Sequence, residues 1–263
     1  MLVGKRKINL SFDYTMKKLI LVFISLFILA QLTFAQDTRY FEMRTYTANE
    51  GKRPDLIKRF QDHTLKLFEK NGIENIAYFI PTDESNNSLT FILAYPDQAS
   101  RDVLWNKFAN DPEWQAAYKA SEANGPLVAK VDQVFMEIAP ELNPEIIRWQ
   151  NEGKRVFELR TYHMFPGRVD AINARFRDYT RELFQKHGMT NVMYWYTLEK
   201  DGSQTKLVYL LAHKSEKAGK KSFENFGQDP VWTMVRDRSE ETGKIVEKVV
   251  SVYLKPLPFS PMK

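Results

Sequence analysis

Polar and apolar residues alternate along residues 40–47, as they do in a strand with one buried face. The period then changes. From about residue 53 to 70 the apolar positions follow a helical spacing, and Gly72 is placed to end that helix in a left-handed conformation. The helical stripe consists of Leu56, Phe60, Thr64, Leu67 and Phe68.

The next segments complete a small α+β unit. Strands are predicted at 75–80 and 89–95, with a turn rich in Asp, Ser and Asn between them. A second helical region begins near Ala99 and restarts at Asp111-Pro112, where Asp suits the N-cap and Pro the first helical position. A last strand is predicted at 127–138. The order β-α-β-β-α-β is that of a ferredoxin-like fold.

The whole pattern occurs twice. The segment 39–46 recurs 116 positions later as 155–162, and after an insertion near Asp201-Gly202 the matches continue at a spacing of 118, as from Trp114 to Trp232. The sequence therefore predicts a tandem duplication. Its predicted parts are a signal peptide at 1–35, a first repeat at 36–139, a linker at 140–153 and a second repeat at 154–263.

Each predicted unit has both helices on one face of its sheet, so the other face needs a cover. The second copy in the same chain supplies a similar sheet. We therefore predict an α+β fold in which two ferredoxin-like repeats pack sheet to sheet as an internal pseudo-dimer, with a barrel-like core and the helices outside. Because the core is shared, neither half is expected to be soluble alone as a monomer.

The N-terminal segment differs from the rest of the chain. Met16-Lys17-Lys18 precedes an almost wholly apolar run, and small residues stand at Thr33 and Ala35 before Gln36. This pattern is typical of a secretory signal peptide, with Met16 as an alternative start and an uncleaved membrane anchor as the alternative interpretation. It predicts a protein exported to the periplasm or secreted, without stable membrane insertion after cleavage.

Charge and cysteine content narrow the function classes. The chain has 38 basic and 33 acidic residues, but five basic residues and one acidic residue precede Gln36, which leaves 33 against 32. A nearly neutral mature chain does not favour nucleic-acid binding. There is no cysteine, so disulfides and thiol nucleophiles are excluded.

Several paired motifs resemble the NIPSNAP family. They are the strands Phe-Glu-Met-Arg-Thr-Tyr (41–46) and Phe-Glu-Leu-Arg-Thr-Tyr (157–162), the helix ends at Gly72 and Gly188, and the helix starts Asp-Pro-Glu-Trp (111–114) and Asp-Pro-Val-Trp (229–232). The resemblance covers about residues 39–254. It implies a dimeric α/β barrel, a superfamily that includes cofactor-free and haem-degrading monooxygenases. It implies no settled catalytic residues.

The first strand of each repeat carries the main candidate residues. Alternation places Phe41, Met43 and Thr45 on one face, which we assign to the helix side, and a polar set on the other face, between the sheets. This set is either a cross-sheet ion network that fixes the register of the two halves or a pocket whose arginines bind an anionic ligand. The set consists of Glu42, Arg44 and Tyr46, with Glu158, Arg160 and Tyr162 in the second repeat.

Aromatic and titratable residues provide further candidates. Tyr78, Tyr194 and Trp195 line a flat ligand pocket or are simply core residues. His63 is an acid–base group, a haem ligand or a partly buried structural histidine. The four histidines form no metal motif, so no metal and no cofactor are expected.

Three functional hypotheses follow. The first is an accessory protein that binds a partner or a small apolar or anionic ligand, with self-association left open. The second is a cofactor-independent oxygenase or isomerase for an aromatic or quinol-like substrate, in which Tyr194 and Trp195 shape the pocket and His63 or Glu158 takes a proton. The third is haem binding through His63.

Overall fold

The computed structural model describes residues 37–143, 154–199 and 201–263. The predicted signal peptide (1–35) and residues 144–153 of the predicted linker lie outside these ranges. The described chain forms eight strands: β1 (Tyr40–Ala48), β2 (Glu74–Pro81), β3 (Ser88–Tyr95), β4 (Val128–Ile138), β5 (Val156–Met164), β6 (Thr190–Thr197), β7 (Leu207–His213) and β8 (Val246–Pro256).

Eight α-helical segments accompany the strands, four in each repeat. They are α1 (Arg53–Arg59), α2 (Leu65–Lys70), α3 (Gln98–Ala109), α4 (Pro112–Ser121), α5 (Val169–Arg175), α6 (Arg181–Lys186), α7 (Glu216–Gly227) and α8 (Pro230–Ser239). The predicted restart is confirmed, because the Asp111 carboxylate accepts the backbone N–H of Glu113 at 2.9 Å with Pro112 as the first helical residue. Within the described residues, no helix is long and apolar enough to cross a bilayer.

The first predicted helix contains an irregularity that the sequence did not reveal. A π-helical turn, Phe60–Thr64, joins α1 to α2, and Phe176–Thr180 joins α5 to α6 in the same way. The Thr64 hydroxyl donates to the Arg59 carbonyl at 3.1 Å, and Thr180 donates to Arg175 at 3.0 Å. Each bond gives a hydrogen-bond donor to the carbonyl just before the π-helical turn. Single π-helical turns within α-helices often occur at functional sites.

The strands form one closed antiparallel barrel in the order β1-β3-β2-β8-β5-β7-β6-β4. Two short ladders join the repeats. Strand β2 pairs with β8 from Phe79 to Pro81, and β4 pairs with β6 from Met136 to Ile138. The predicted fold, two ferredoxin-like repeats that close an internal barrel, is confirmed.

The barrel interior holds apolar side chains from both repeats. Phe41 meets Trp195 with ring centres 5.9 Å apart, and Phe79 meets Phe157 at 5.1 Å. Two further cores lie outside the barrel, one under the helices of each repeat. The interior core also includes Met43, Ile92, Met136, Leu210 and Leu254.

The predicted facing of β1 and β5 is wrong. Phe41 and Met43 point into the barrel, whereas Glu42, Arg44 and Tyr46 lie on the helix side. The same inversion holds for Glu158, Arg160 and Tyr162. Both faces of these strands are covered, so polarity alone does not tell them apart. The charged side chains lie beneath the helices: Glu42 is bonded by Arg101 of α3, whereas the partners of Glu158 come from neighbouring strands.

Candidate functional site

A pocket of about 340 Å³ lies between the sheet and the helices of the first repeat. Its floor comes from β1 and β4, and its walls come from α1, the π-helical turn, α2, α3 and α4. Aromatic rings dominate the lining, so we call it the aromatic pocket. The rings belong to Tyr46, Phe60, Phe68, Trp105, Phe108, Trp114 and Tyr118.

The aromatic rings that line the pocket pack against one another. Phe108 sits at the centre of the cluster, with its ring centre 4.5 Å from Phe68, 4.6 Å from Trp114 and 5.6 Å from Trp105. Tyr118 packs against Trp114 at 5.8 Å. Tilted contacts at these distances are the favourable geometry for aromatic pairs. The walls are therefore held in place before any ligand enters.

One buried ion pair lies in the lining. Arg59, on the last turn of α1, bonds the Glu122 carboxylate at 3.1 Å and the Ser121 hydroxyl at 3.2 Å. Its guanidinium also lies over Tyr118 and Trp114, 5.2 and 5.5 Å from the ring centres. The charges of Arg59 and Glu122 thus compensate each other within the pocket.

A second charged cluster stands behind Trp105. Glu42 is fully buried and takes two bonds from Arg101 on α3, at 2.9 and 3.0 Å, and one from Arg44 at 2.5 Å. Gln133 also bonds this carboxylate. Burial alone raises the pKa of Glu42, but the hydrogen bonds from Arg101 and the charge of Arg44 lower it below its usual value. Glu42 is therefore an ionised structural anchor.

The arginines of this cluster stack on the pocket wall. The Arg44 guanidinium lies 4.4 Å from the Trp105 ring centre, and Arg101 lies 5.0 Å from it. Two guanidinium groups over one indole ring are a favourable electrostatic arrangement and help to fix the orientation of that ring. Glu42 and Arg44 thus belong to an ion network, but it lies within the first repeat and on the helix side. The predicted cross-sheet network between the two halves is wrong, because the partners of Glu158 likewise come from its own repeat.

The second repeat holds its buried carboxylate in another way. Glu158 is bonded by Arg160 at 2.5 Å, by the Ser251 hydroxyl at 2.6 Å and by His213 Nε2 at 3.0 Å. His213 occupies the position of Tyr95, and Gly219 occupies that of Arg101. Burial raises the pKa of Glu158, and the bond from His213 and the charge of Arg160 outweigh that effect. Glu158 is thus an ionised carboxylate with its partners in place.

The aromatic candidates on β2 and β6 are core residues. Tyr78 and Tyr194 are fully buried on the helix side, where their hydroxyls donate to Asn75 and Asn191 at 2.5 Å. Trp195 lies inside the barrel, on the opposite face of β6 from Tyr194. These two side chains therefore do not shape one pocket, contrary to the second hypothesis.

The remaining candidates are widely separated. His63 is exposed on the π-helical turn and is absent from the pocket lining. Tyr162 packs against Phe176 and Tyr209 under the helices of the second repeat. The described residues hold no group of three or more His, Asp or Glu side chains suited to a metal ion.

The aromatic pocket itself escaped the sequence analysis, although the repeat comparison carried a signal. Trp105 and Tyr118 of the first repeat correspond to Phe223 and Arg236 of the second. The first repeat therefore has one larger ring and one additional ring in its walls. Only the alignment of the two copies shows this difference.

A wider opening of about 500 Å³ lies at one mouth of the barrel, where β4 faces the β6–β7 hairpin. Its lining is mixed and includes Gln133, Thr161, Glu199 and Lys206. Lys206 bonds Glu199 at 2.5 Å. The opening therefore combines apolar and polar side chains, and two of its charged residues already bond each other.

Comparison with solved structures finds the same architecture elsewhere. An anthrone oxidase-like protein aligns over 85% of this chain and 93% of its own, with 11% identity and a TM-score of 0.57. A candidate monooxygenase from Fusobacterium nucleatum aligns over 84% and 93%, with 10% identity and a TM-score of 0.52. At such identities the likeness establishes the fold alone.

The match to a family model is more specific than these structural likenesses. An uncharacterized NIPSNAP domain protein from Burkholderia xenovorans shares 28% identity over 41% of this chain and 96% of its own, with a TM-score of 0.33. No curated protein matches the chain. The NIPSNAP family model matches twice, at residues 41–140 and 157–261. The chain therefore belongs to the NIPSNAP family and contains two copies of its domain.

Proposed function

We propose that this protein binds a small planar aromatic molecule in the aromatic pocket of its first repeat, without chemistry of its own. The observation that carries the proposal is the pocket itself: a cleft of about 340 Å³ lined by sixteen residues, seven of which are aromatic. That volume is within the range of small-molecule sites, which are mostly apolar with a few polar groups. A ligand of two fused rings matches this shape and chemistry.

The ionisable groups of the pocket favour binding over catalysis. Glu122, the carboxylate in the lining, is paired with Arg59. A general base needs a free acceptor within reach of the substrate. Glu122 is the one carboxylate among the described lining residues, and its pairing with Arg59 leaves no free carboxylate there to act as a general base.

The oxygenase hypothesis gains less support. That hypothesis places the substrate between the sheets. In the structure this space is filled by side chains: Phe41 packs against Trp195. Phe79 packs against Phe157. The proposed bases are the exposed His63 and the paired Glu158. The structural likeness to monooxygenase-like proteins concerns the fold and does not transfer their chemistry.

Calorimetric titration with 2-naphthol tests the proposal. We expect one site per chain, and we expect the double variant Trp105→Phe/Tyr118→Arg, which copies the second-repeat residues, to bind about tenfold more weakly, since an aromatic contact contributes about 0.5–1.5 kcal/mol. Trp232→Phe in the second repeat is the matched control and should bind as the unchanged protein does. Equal affinity in all three proteins would refute the site.

We also propose that the protein acts outside the cytoplasm. The support is the charged, apolar and small-residue succession before Gln36. An exported aromatic-binding protein would meet its ligand in the periplasm or the medium.

A further inference from the structure

The first half of β4 has an open edge. Residues 130–137 of β4 pair with β1 on one side, but on the other side β4 pairs with β6 only from Met136 to Ile138. Among the described residues, no strand pairs with the outer edge of segment 129–133. All five side chains of this segment are exposed. An open strand edge is a template for pairing with another strand.

The hydrogen-bonding groups of this edge have a defined direction. The Phe135 carbonyl accepts the backbone N–H of Leu198 at 2.8 Å, so Phe135 turns its backbone groups away from β1. In an antiparallel ladder these directions alternate along the strand. Val131 and Gln133 therefore present their backbone N–H and C=O groups at the open edge.

We propose that a second copy of this chain pairs with this edge, antiparallel, about a two-fold axis at Val131. In that register Val131 forms a hydrogen-bonded pair with its own counterpart. Lys130 then lies directly opposite Asp132 of the second copy, and Asp132 lies opposite Lys130. Opposite charges in directly facing positions stabilise a strand pair.

The charges are available for this contact. The Lys130 and Asp132 side chains are 67% and 52% exposed, and within one chain they stand on the same face, 2.9 Å apart. Non-hydrogen-bonded positions bring facing side chains closest together. Within one chain Lys130 and Asp132 contact each other. Two-fold pairing would bring together the Lys130 and Asp132 side chains of both copies, a group of four charges.

The second repeat offers a built-in contrast. Segment 247–251 of β8 has the corresponding open edge, because β8 pairs with β2 only from residue 254 onward. Lys248 corresponds to Lys130, but Val250 replaces Asp132. The β8 edge therefore lacks the charge that would face Lys248 in a two-fold pair. Self-pairing is specific to the first repeat.

This interface adjoins the proposed ligand site without depending on it. Val131 lines the aromatic pocket, and its side chain is 45% exposed. In the proposed pair the Val131 side chains of both copies lie side by side at the pocket rim. The second copy would thus cover part of the opening.

Sedimentation equilibrium of the full chain tests the pairing through charge reversal. The unchanged protein should show a monomer–dimer equilibrium, and Lys130→Glu and Asp132→Lys should each weaken the dimer by about tenfold or more, because like charges then face each other twice. Lys248→Glu, the matched control, should leave the equilibrium unchanged. Val131→Pro should abolish dimerisation because it removes an N–H at the open edge.

Mixing the two charge variants gives the decisive result. In a mixed dimer the glutamate introduced in one chain faces the lysine introduced in the other, and the unchanged Asp132 of the first chain faces the unchanged Lys130 of the second. The mixture should therefore dimerise as the unchanged protein does. A contact within one chain cannot produce this rescue. A monomeric unchanged protein at about millimolar concentration, an unaffected Lys130→Glu dimer, or a mixture without rescue would each overturn the proposal.

Discussion

Gly219 of α7 lies directly against His213 of β7: a Cβ atom at Gly219 would come 2.9 Å from Cγ of the His213 ring. The same atom would come 3.0 Å from Cε1 of Tyr253. In the first repeat the corresponding position holds Arg101, which reaches down to bond Glu42. The two repeats thus hydrogen-bond the corresponding buried carboxylates differently: the first uses a second arginine from the helix, and the second uses a histidine that lies under a close helix.

Gly219→Ala should destabilise the protein. The added methyl group has no room between α7 and the His213 ring, and overpacking of this kind costs about 1–3 kcal/mol, more than alanine gains over glycine in a helix. Gly227→Ala, in the same helix, meets nothing within 4 Å and is the matched control. Urea unfolding should show a lower free energy of unfolding for the first variant only, and equal values would contradict the contact.

Glu42→Gln should cost more stability than Glu158→Gln. Glu42 compensates Arg44 and Arg101, whose side chains are 11% and 13% exposed. Its loss leaves Arg44 without a counter-charge and leaves Arg101 with only the exposed carboxylate of Asp102. Removing one partner of a buried pair costs about 3–5 kcal/mol.

Glu158→Gln leaves only one arginine, Arg160, without its counter-charge. The other close partners of Glu158 are His213 and Ser251. Denaturant unfolding of both variants should therefore rank Glu42→Gln as the less stable. The reverse order would contradict our account of the two clusters.

Acid should weaken the caps of the second helical regions. Hydrogen bonds from Asn71 and Lys70 lower the pKa of Asp111 from 3.8 to about 2, and Lys186 and His187 hold the pKa of Asp229 even further below its usual value. A depressed folded-state pKa means that the stabilisation is complete above about pH 4 and is lost as the pH falls toward 2.

Asp111→Asn should therefore lower the free energy of unfolding at pH 7 and flatten its decline between pH 4 and pH 2. Urea unfolding at several pH values measures both effects. An unchanged pH profile would show that the Asp111 carboxylate does not contribute in the expected way.

Much of the fold could be predicted from the sequence because each strand and helix pattern occurs twice. The Asp-Pro start at 111–112 gave the position of α4, and the paired Phe-Glu-x-Arg-Thr-Tyr strands gave the repeat and the family. The facing of β1 did not follow. Tyr46 and Phe41 are both covered, one by helices and one by the barrel, so alternation left two equivalent choices.

The site depended on contacts between residues that are distant in sequence. Arg101 meets Glu42 across 59 positions, and His213 meets Glu158 across 55. A local sequence motif does not show contacts between residues that far apart in the chain. The concurrent replacement of Tyr95 by His213 and of Arg101 by Gly219 was visible in the alignment of the repeats, and it marked the place where the buried network changes.

We propose that the chain is cleaved after Ala35 on export. Mass spectrometry of the recovered protein tests this. Expressed with residues 1–35 in place in a secreting bacterial host, the protein should be recovered from the periplasm or the medium with Gln36 as its first residue. Recovery of the uncut chain from the membrane fraction would instead favour the anchor interpretation.

The central claim is that the ligand enters the aromatic pocket and neither the barrel nor the second repeat. The tryptophans distinguish these places, because Trp105 and Trp114 line the pocket, Trp195 lies inside the barrel and Trp232 packs in the second repeat. Their indole N–H signals in a ¹⁵N-labelled sample are to be followed during titration with 2-naphthol. We predict shifts for Trp105 and Trp114 alone. Shifts confined to Trp195 or Trp232, or none at saturating ligand, would contradict the account.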